Sequence, residues 1–195
     1  MEITLKREAL SSTLQNINSV VDKSSTKPIL SNFVISTKEE DNSNVEFSST
    51  DYELSLVELI PAEIKDPGSI CVNAKKVFDI VKELKAEEVN IRSTEQLWIY
   101  INCGSSELRL PSVEVGLYPQ TVLEKLPESI TISVEDFKRS IDMTLFAAIT
   151  NESRRNLMGV CLGKTNDQQT RWLSTDGHRL AQIIKSVDNI KIESE

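Results

Sequence analysis

No apolar run in the 195-residue chain approaches the roughly 18 residues that a membrane-crossing helix requires. The charges scattered from Met1 to Leu10 leave no room for the apolar core of a secretory signal, so a cytoplasmic location is expected. Cysteine is scarce: Cys71, Cys103 and Cys161 lie far apart, with no CxxC pair, and His178 is the single histidine. That excludes a Cys/His zinc pattern and a dense disulfide scaffold. Each cysteine stands in an apolar, strand-like stretch, which predicts three buried, reduced thiols. There is no G-x-S-x-G elbow, no P-loop and no pair of carboxylates at metal-ligand spacing, so no catalytic residue, metal or cofactor is expected. Ser174, Asp176 and His178 are the side-chain types of a hydrolase triad, but residues so close along extended chain do not converge into one. Positive charge is also short, with 22 Lys and Arg against 30 Asp and Glu and a net charge of −8. A uniformly basic nucleic-acid coat is excluded, whereas a protein that confines its positive charge to one face is not.

What the chain does contain is a repeat. Glycine and proline number only six each, and they punctuate it. Pro67-Gly68 separates two apolar-periodic halves, and Pro111, Pro119 and Pro127 bracket a patternless stretch that reads as a linker. Between these marks, one order recurs three times: a short alternating strand, an amphipathic helix, then three strands. The first copy has Ile3 and Leu5, then Leu10, Leu14, Ile17 and Val21 on one helix face, then strand runs at 29–37, 45–49 and 54–60. The second has Ile70 and Val72, then Val77, Ile80, Val81 and Leu84, then runs near 89–92, 97–102 and 107–110. The third has Ile130, Ile132 and Val134, then Phe137, Ile141, Leu145 and Ala148, then runs near 157–162, 171–174 and 180–184. Copies one and three share Ser49-Thr50-Asp51 and Ser174-Thr175-Asp176, about 125 positions apart. One such unit cannot cover its own helix stripe and sheet face, so units are expected in pairs, and the third has no partner in the sequence.

Specific residues then carry a family resemblance. Ile3-Thr4-Leu5-Lys6-Arg7-Glu8, Pro28-Ile29-Leu30-Ser31-Asn32, Thr50-Asp51 with Glu53-Leu54, and Val77-Phe78-Asp79-Ile80 are similar, in order and spacing, to segments of the beta subunit of bacterial DNA polymerase III. In the third helix Lys138-Arg139, Ile141, Thr144 and Phe146-Ala147 agree, and Thr175-Asp176-Gly177-His178-Arg179-Leu180 matches that family's T-D-G-H-R-L. The chain thus resembles the sliding-clamp family as far as about Ser186. The resemblance implies an α+β DNA-clamp fold, with helices toward DNA and antiparallel sheets outside. It implies clamp domain one over residues 1–122, a linker at 123–128 and the first half of domain two over 129–195, as a fragment lacking the third domain. It implies a non-catalytic processivity factor whose partners are duplex DNA, the replicative polymerase subunit, the clamp loader and other proteins carrying a clamp-binding motif.

The same resemblance distributes roles. DNA-facing positions are Lys23 and Lys27 before Pro28, Lys75, Lys76 and Lys82 on the second helix, Lys138 and Arg139 on the third, and Asn151 and Arg154 after it. The helical spacing independently puts Lys75 and Lys82 opposite the core arc, with Lys76 and Lys85 on its flanks. Leu157, Thr175, Gly177, His178, Arg179 and Leu180 form one wall of a peptide-binding cleft, whose other wall belongs to the third domain. The strand 105–110 is the edge that meets a partner chain when the family's ring closes. For the orphan third unit, self-association through residues 129–186 is expected. The alternative is a naturally short clamp relative that binds a protein partner without encircling DNA.

Overall fold

The computed structural model describes residues 1–21, 27–38, 41–119, 128–150, 152–165, 167, 169–185 and 191–194. Lys23 and Asn151 lie outside them. The chain forms two compact units, Met1–Leu123 and Glu124–Glu195, and each is described by itself.

The first unit follows the repeat. Its order is β1 (Glu2–Lys6), α1 (Arg7–Val20), β2 (Asn32–Lys38), β3 (Asp41–Thr50) and β4 (Ser55–Asp66), then β5 (Ser69–Asn73), α2 (Ala74–Glu83), β6 (Glu88–Thr94), β7 (Trp98–Cys103) and β8 (Ser106–Val113). All pairings are antiparallel, and the strands close into a barrel in the order β1-β4-β3-β2-β5-β8-β7-β6. Alternation puts Ile3, Leu5, Val89, Ile91, Ile99 and Ile101 inward, where they meet Leu10, Leu14 and Ile17 of α1 and Val77 and Val81 of α2. Phe33 and Phe47 stack at the centre, ring centroids 5.9 Å apart. Two like halves thus share one core, joined where β2 meets β5 and β1 meets β6.

Two details depart from the sequence reading. The strand expected from Ile29 begins at Asn32, because Pro28 opens a 3-10 turn over Pro28–Ser31. The run expected to end at Ile60 continues to Asp66. β4 pairs with β3 through Pro61 and with β1 from Ala62 onward, so the residue without an N–H stands at the changeover. β8 pairs with β7 through Pro111 and meets β5 only at Ser112 and Val113.

The second unit repeats the order with β9 (Glu128–Thr131), α3 (Val134–Asp142), β10 (Cys161–Lys164), β11 (Thr170–Thr175), β12 (Leu180–Lys185) and β13 (Lys191–Ser194). β10, β11 and β12 form one antiparallel sheet, and β13 pairs with β9. β12 and β13 together take the two pairings that β4 makes alone.

The third helix face corrects the sequence reading. Periodicity predicts a helix that buries Phe137, Ile141, Leu145 and Ala148; instead the helix ends at Asp142, and Leu145–Ala147 forms a 3-10 turn. Ser140, Thr144 and Ala147 are buried, while Phe137, Leu145 and Phe146 are exposed. The small polar side chains go inward without penalty because they return to the backbone. Ser140 Oγ donates to Asp136 O and Thr144 Oγ1 to Ser140 O, both at 2.7 Å. Phe137 keeps one ring contact, edge-on to the buried Trp172 at 5.4 Å.

The cysteine expectation holds for two of three. Cys71 and Cys103 are buried, but Cys161 is exposed, on a strand that pairs among the described residues only with β11. Burial pushes the Cys71 thiol up to about 12. At mildly alkaline pH a thiol reagent should therefore modify Cys161 rapidly and the other two only after denaturation. Rapid modification of all three thiols in native buffer would contradict the described core.

No helix among the described residues is long and apolar enough to cross a membrane.

Candidate DNA-facing helices and docking turn

The second helix is built to present cations. Asn73 Oδ1 accepts from Lys76 N at 3.0 Å and caps its N-terminus, and Asn73 Nδ2 reaches Ser31 Oγ at 3.1 Å, which ties the helix start to the strand layer. Ala74, Val77 and Val81 face the core. That leaves Lys75, Lys76 and Lys82 exposed, with Lys85 beyond the helix end. None of these four ammonium groups forms an ion pair among the described residues. Asp79 and Glu83 share the outer side, so the face is positive by a margin of two. Lysines in the first turn of a helix oppose its dipole, and such a placement is a small cost to stability.

The first helix packs beside it, with Asn18 Nδ2 donating to Leu14 O at 2.8 Å and to Ala74 O at 3.4 Å. Its outer positions, Ser12, Gln15 and Ser19, are neutral and exposed. Lys27 holds its ammonium 4.5 Å from the Tyr52 ring centroid. On α3 the Ser133 cap accepts from Asp136 N at 3.1 Å, and Lys138 and Arg139 are exposed. The Asp136 carboxyl is held below the usual carboxylate range, first by its hydrogen bond from Lys185 on β12 and then by Ser133.

The turn between β11 and β12 is a separate centre. Thr175 Oγ1 donates to Arg179 O at 2.6 Å and accepts from Gly177 N at 3.1 Å. Asp176 Oδ1 accepts from His178 N and Arg179 N, and Asp176 Oδ2 from Arg179 Nε, each at 2.9 Å. These bonds from the Arg179 and His178 backbone, then the Arg179 side chain, hold the Asp176 carboxyl at about 2, so it stays ionised wherever the protein is folded near neutrality. Arg154 Nη1 lies 3.4 Å from where a Cβ on Gly177 would stand. The Arg179 guanidinium sits 5.8 Å from the Phe146 ring centroid. Leu180 and Phe146 are exposed, and Leu157 is half-buried, its carbonyl accepting from Ile149 N at 3.0 Å. Arg154, Arg179 and Phe146 therefore lie at a hydrogen-bonded backbone bend, a surface chemically suited to an extended peptide with acidic and apolar side chains.

Of the residues that the sequence assigns to peptide docking, Thr175, Gly177, His178, Arg179 and Leu180 lie in or next to this bend, and Leu157 ends the 3-10 stretch Glu152–Leu157 that carries Arg154. Arg154, assigned to DNA by the sequence, lies beside Gly177. Phe146 and Asp176 join the site without a sequence assignment to it. The signal for Asp176 is present in the repeat, since the turn Thr50–Ser55 has the same bonds. Thr50 Oγ1 donates to Leu54 O at 2.8 Å, and Asp51 Oδ1 accepts from Glu53 N at 2.9 Å and Leu54 N at 2.6 Å. Tyr52, with φ +77°, occupies the place of Gly177, with φ +91°. The Thr-Asp turn is thus a feature of the repeating unit. What glycine adds in the second unit is a bare backbone under Arg154.

No triad forms. Ser174 Oγ is buried without a hydrogen-bond partner among the described residues, and Asp176 binds backbone amides and Arg179 through its carboxylate oxygens. Among the described residues no group of His, Cys, Asp and Glu is placed to hold a metal ion.

Comparison with known proteins agrees with this architecture. The family model described as DNA polymerase III beta subunit, N-terminal domain, matches residues 1–127, and that of the central domain matches residues 131–194. A curated beta sliding clamp from Pseudomonas aeruginosa is 34% identical over 185 residues, covering 93% of this chain and 48% of that protein. One from Caulobacter vibrioides is 32% identical over 186 residues, covering 93% and 49%. The crystal structure of the Pseudomonas aeruginosa DNA polymerase III subunit beta aligns with a TM-score of 0.85 at 30% identity, over 97% of this chain and 50% of that one. That of the Bacillus subtilis DNA polymerase sliding clamp aligns with a TM-score of 0.87 at 27% identity, over 100% and 53%. The chain spans about half the length of the curated relatives it matches. With both domain models matched in order along a repeat that the structure folds as clamp units, the chain belongs to the DNA polymerase III beta subunit family of sliding clamps.

Proposed function

We propose that this chain supplies the DNA-facing helices and a peptide-docking turn of a DNA polymerase processivity factor, and that it acts by contact and not by catalysis. The observation that carries the reading is the row of unpaired, exposed lysines on α2 in a protein of net charge −8. Lysines on flexible stems meet phosphates without reading bases, which suits a surface that must move along duplex DNA. Lys138 and Arg139 on α3 offer a second patch of the same kind. The turn with Leu157, Thr175, Gly177, His178, Arg179 and Leu180 takes the linear motif of the polymerase, the clamp loader or another clamp-binding protein. Arg154 and Phe146 belong with it.

A few phosphate contacts alone hold DNA weakly. The dissociation constant for duplex should be about 10⁻⁴ M or weaker at physiological salt, tighter at low salt and equal for unrelated sequences. Fluorescence anisotropy with two unrelated duplexes across a salt series measures this. Binding that ignores salt, or that prefers one sequence strongly, would overturn the reading.

A further inference from the structure

We propose that the outer face of the β6-β7-β8 sheet in the first unit is a second protein-docking surface, separate from the docking turn, and that it takes an acidic protein segment. Alternation sends Ile91, Ile99 and Ile101 into the core, so Arg92, Trp98 and Tyr100 point outward. Arg92 stands opposite Tyr100 and Tyr100 opposite Arg109, so the three form one cross-strand row, with Trp98 in the next. The Arg109 guanidinium lies 3.6 Å from the Trp98 ring centroid and 5.8 Å from that of Tyr100, and the Arg92 guanidinium lies 4.9 Å from that of Tyr100. Both arginines are exposed and both rings are half-buried. Neither guanidinium forms an ion pair among the described residues; Glu2, opposite Arg92, pairs with Lys65 at 3.4 Å instead. This face lies within the first unit, in residues that the N-terminal domain model matches throughout. A strand added beside β8 would lengthen the sheet and leave its face bare.

A guanidinium held against an aromatic ring has already lost part of its side-chain freedom, while the N–H groups around its rim remain to bind a carboxylate through two parallel bonds. Tryptophan, tyrosine and arginine are also the residues that dominate binding energy in protein interfaces. Arg92 and Arg109 stand two strand spacings apart, so the complementary partner offers two carboxylates about 10 Å apart. Charge sets the class of that partner: in a chain of net charge −8, two cations without ion pairs on one face attract an acidic surface. A nucleic-acid strand fits less well. The guanidiniums already occupy the rings on which bases would stack. Glu2, opposite Arg92, and Glu107, opposite Asn102, add negative charge to the same face and repel a continuous phosphate backbone, whereas a peptide sets its carboxylates between them.

The test is an NMR titration of the whole chain with two helical peptides of alanine and glutamine. One carries two glutamates about seven residues apart, which stand about 10 Å apart on one helix face, and the other has glutamine at both places. The chain has two tryptophans, Trp98 on this face and the buried Trp172 in the second unit, so one indole N–H signal reports the face and the other is its control. The glutamate peptide is expected to shift the Trp98 indole and the Arg92 and Arg109 side-chain signals, to leave Trp172 unmoved, and to bind about tenfold or more tightly than the glutamine peptide. Arg92→Gln with Arg109→Gln should weaken that binding about tenfold or more and leave the melting temperature nearly unchanged, since both positions are exposed. If the variant melts early, the pair of peptides on the unaltered chain still decides. Oligothymidylate is the third ligand. Tighter binding of oligothymidylate at Trp98, equal binding of the two peptides, no shift at Trp98, or a response confined to Gly177 and His178 would overturn the proposal, the last by assigning the peptide to the docking turn.

Discussion

Replacing Lys75, Lys76 and Lys82 together by glutamate is expected to abolish the binding of duplex DNA that the unaltered chain shows at low salt. Each reversal removes one positive charge and adds one negative charge, so a face positive by two becomes strongly negative. Affinity should fall by more than about 100-fold at low ionic strength, and the slope of log affinity against log salt should shrink by nearly one for each phosphate no longer neutralised. Unfolding is a weak competing explanation, because the loss at Lys82 in the last turn of α2 is offset by gains at the other two positions. Lys75 and Lys76 stand in the first turn of α2, where glutamate interacts favourably with the helix dipole by about 0.3–1 kcal/mol per residue. Anisotropy against a labelled duplex, with a thermal melt on the same sample, reads both quantities. Low-salt binding that survives the triple change would place the DNA face elsewhere. A variant that no longer binds DNA and keeps its melting temperature would support the assignment to α2.

Phe47→Ala should be the most damaging single change in the first unit. Phe47 is 0% exposed, stacked on Phe33 and part of a core cluster to which both halves of the barrel contribute. Removing the ring costs its transfer free energy and leaves a cavity that the closed strands cannot collapse to fill, together about 3–5 kcal/mol. Against a total stability of about 5–15 kcal/mol for a typical domain, that is a large share. Phe146→Ala makes the opposite comparison. Phe146 is exposed, so the change should stay within about 0.5 kcal/mol. Urea unfolding followed by circular dichroism measures both. A destabilisation below about 1 kcal/mol for Phe47→Ala would mean that the barrel core is not packed as described.

By itself the sequence determined the repeat, its class and its family. Alternation in Ile3 and Leu5 and the i, i+4, i+7 spacing of Leu10, Leu14 and Ile17 are local, and they read correctly because each of these residues finds its partner inside the first unit. The exposed lysines of α2 were legible for the same reason, since a well-defined core arc defines its opposite face. The T-D-G-H-R-L segment marked the turn that we propose for docking, although its neighbours Arg154 and Phe146 come from elsewhere in the chain and meet it only through tertiary contact. The third helix is where periodicity misled. Phe137, Ile141, Leu145 and Ala148 repeat as a core stripe, yet burial is not a property of a helix. It depends on what packs against the helix, and among the described residues no second half stands there. Only the tertiary structure decided that Ser140, Thr144 and Ala147 face inward. Their side chains are small or bond back to the backbone, so they can be buried at little cost, while the large apolar groups Phe137, Leu145 and Phe146 remain exposed among the described residues.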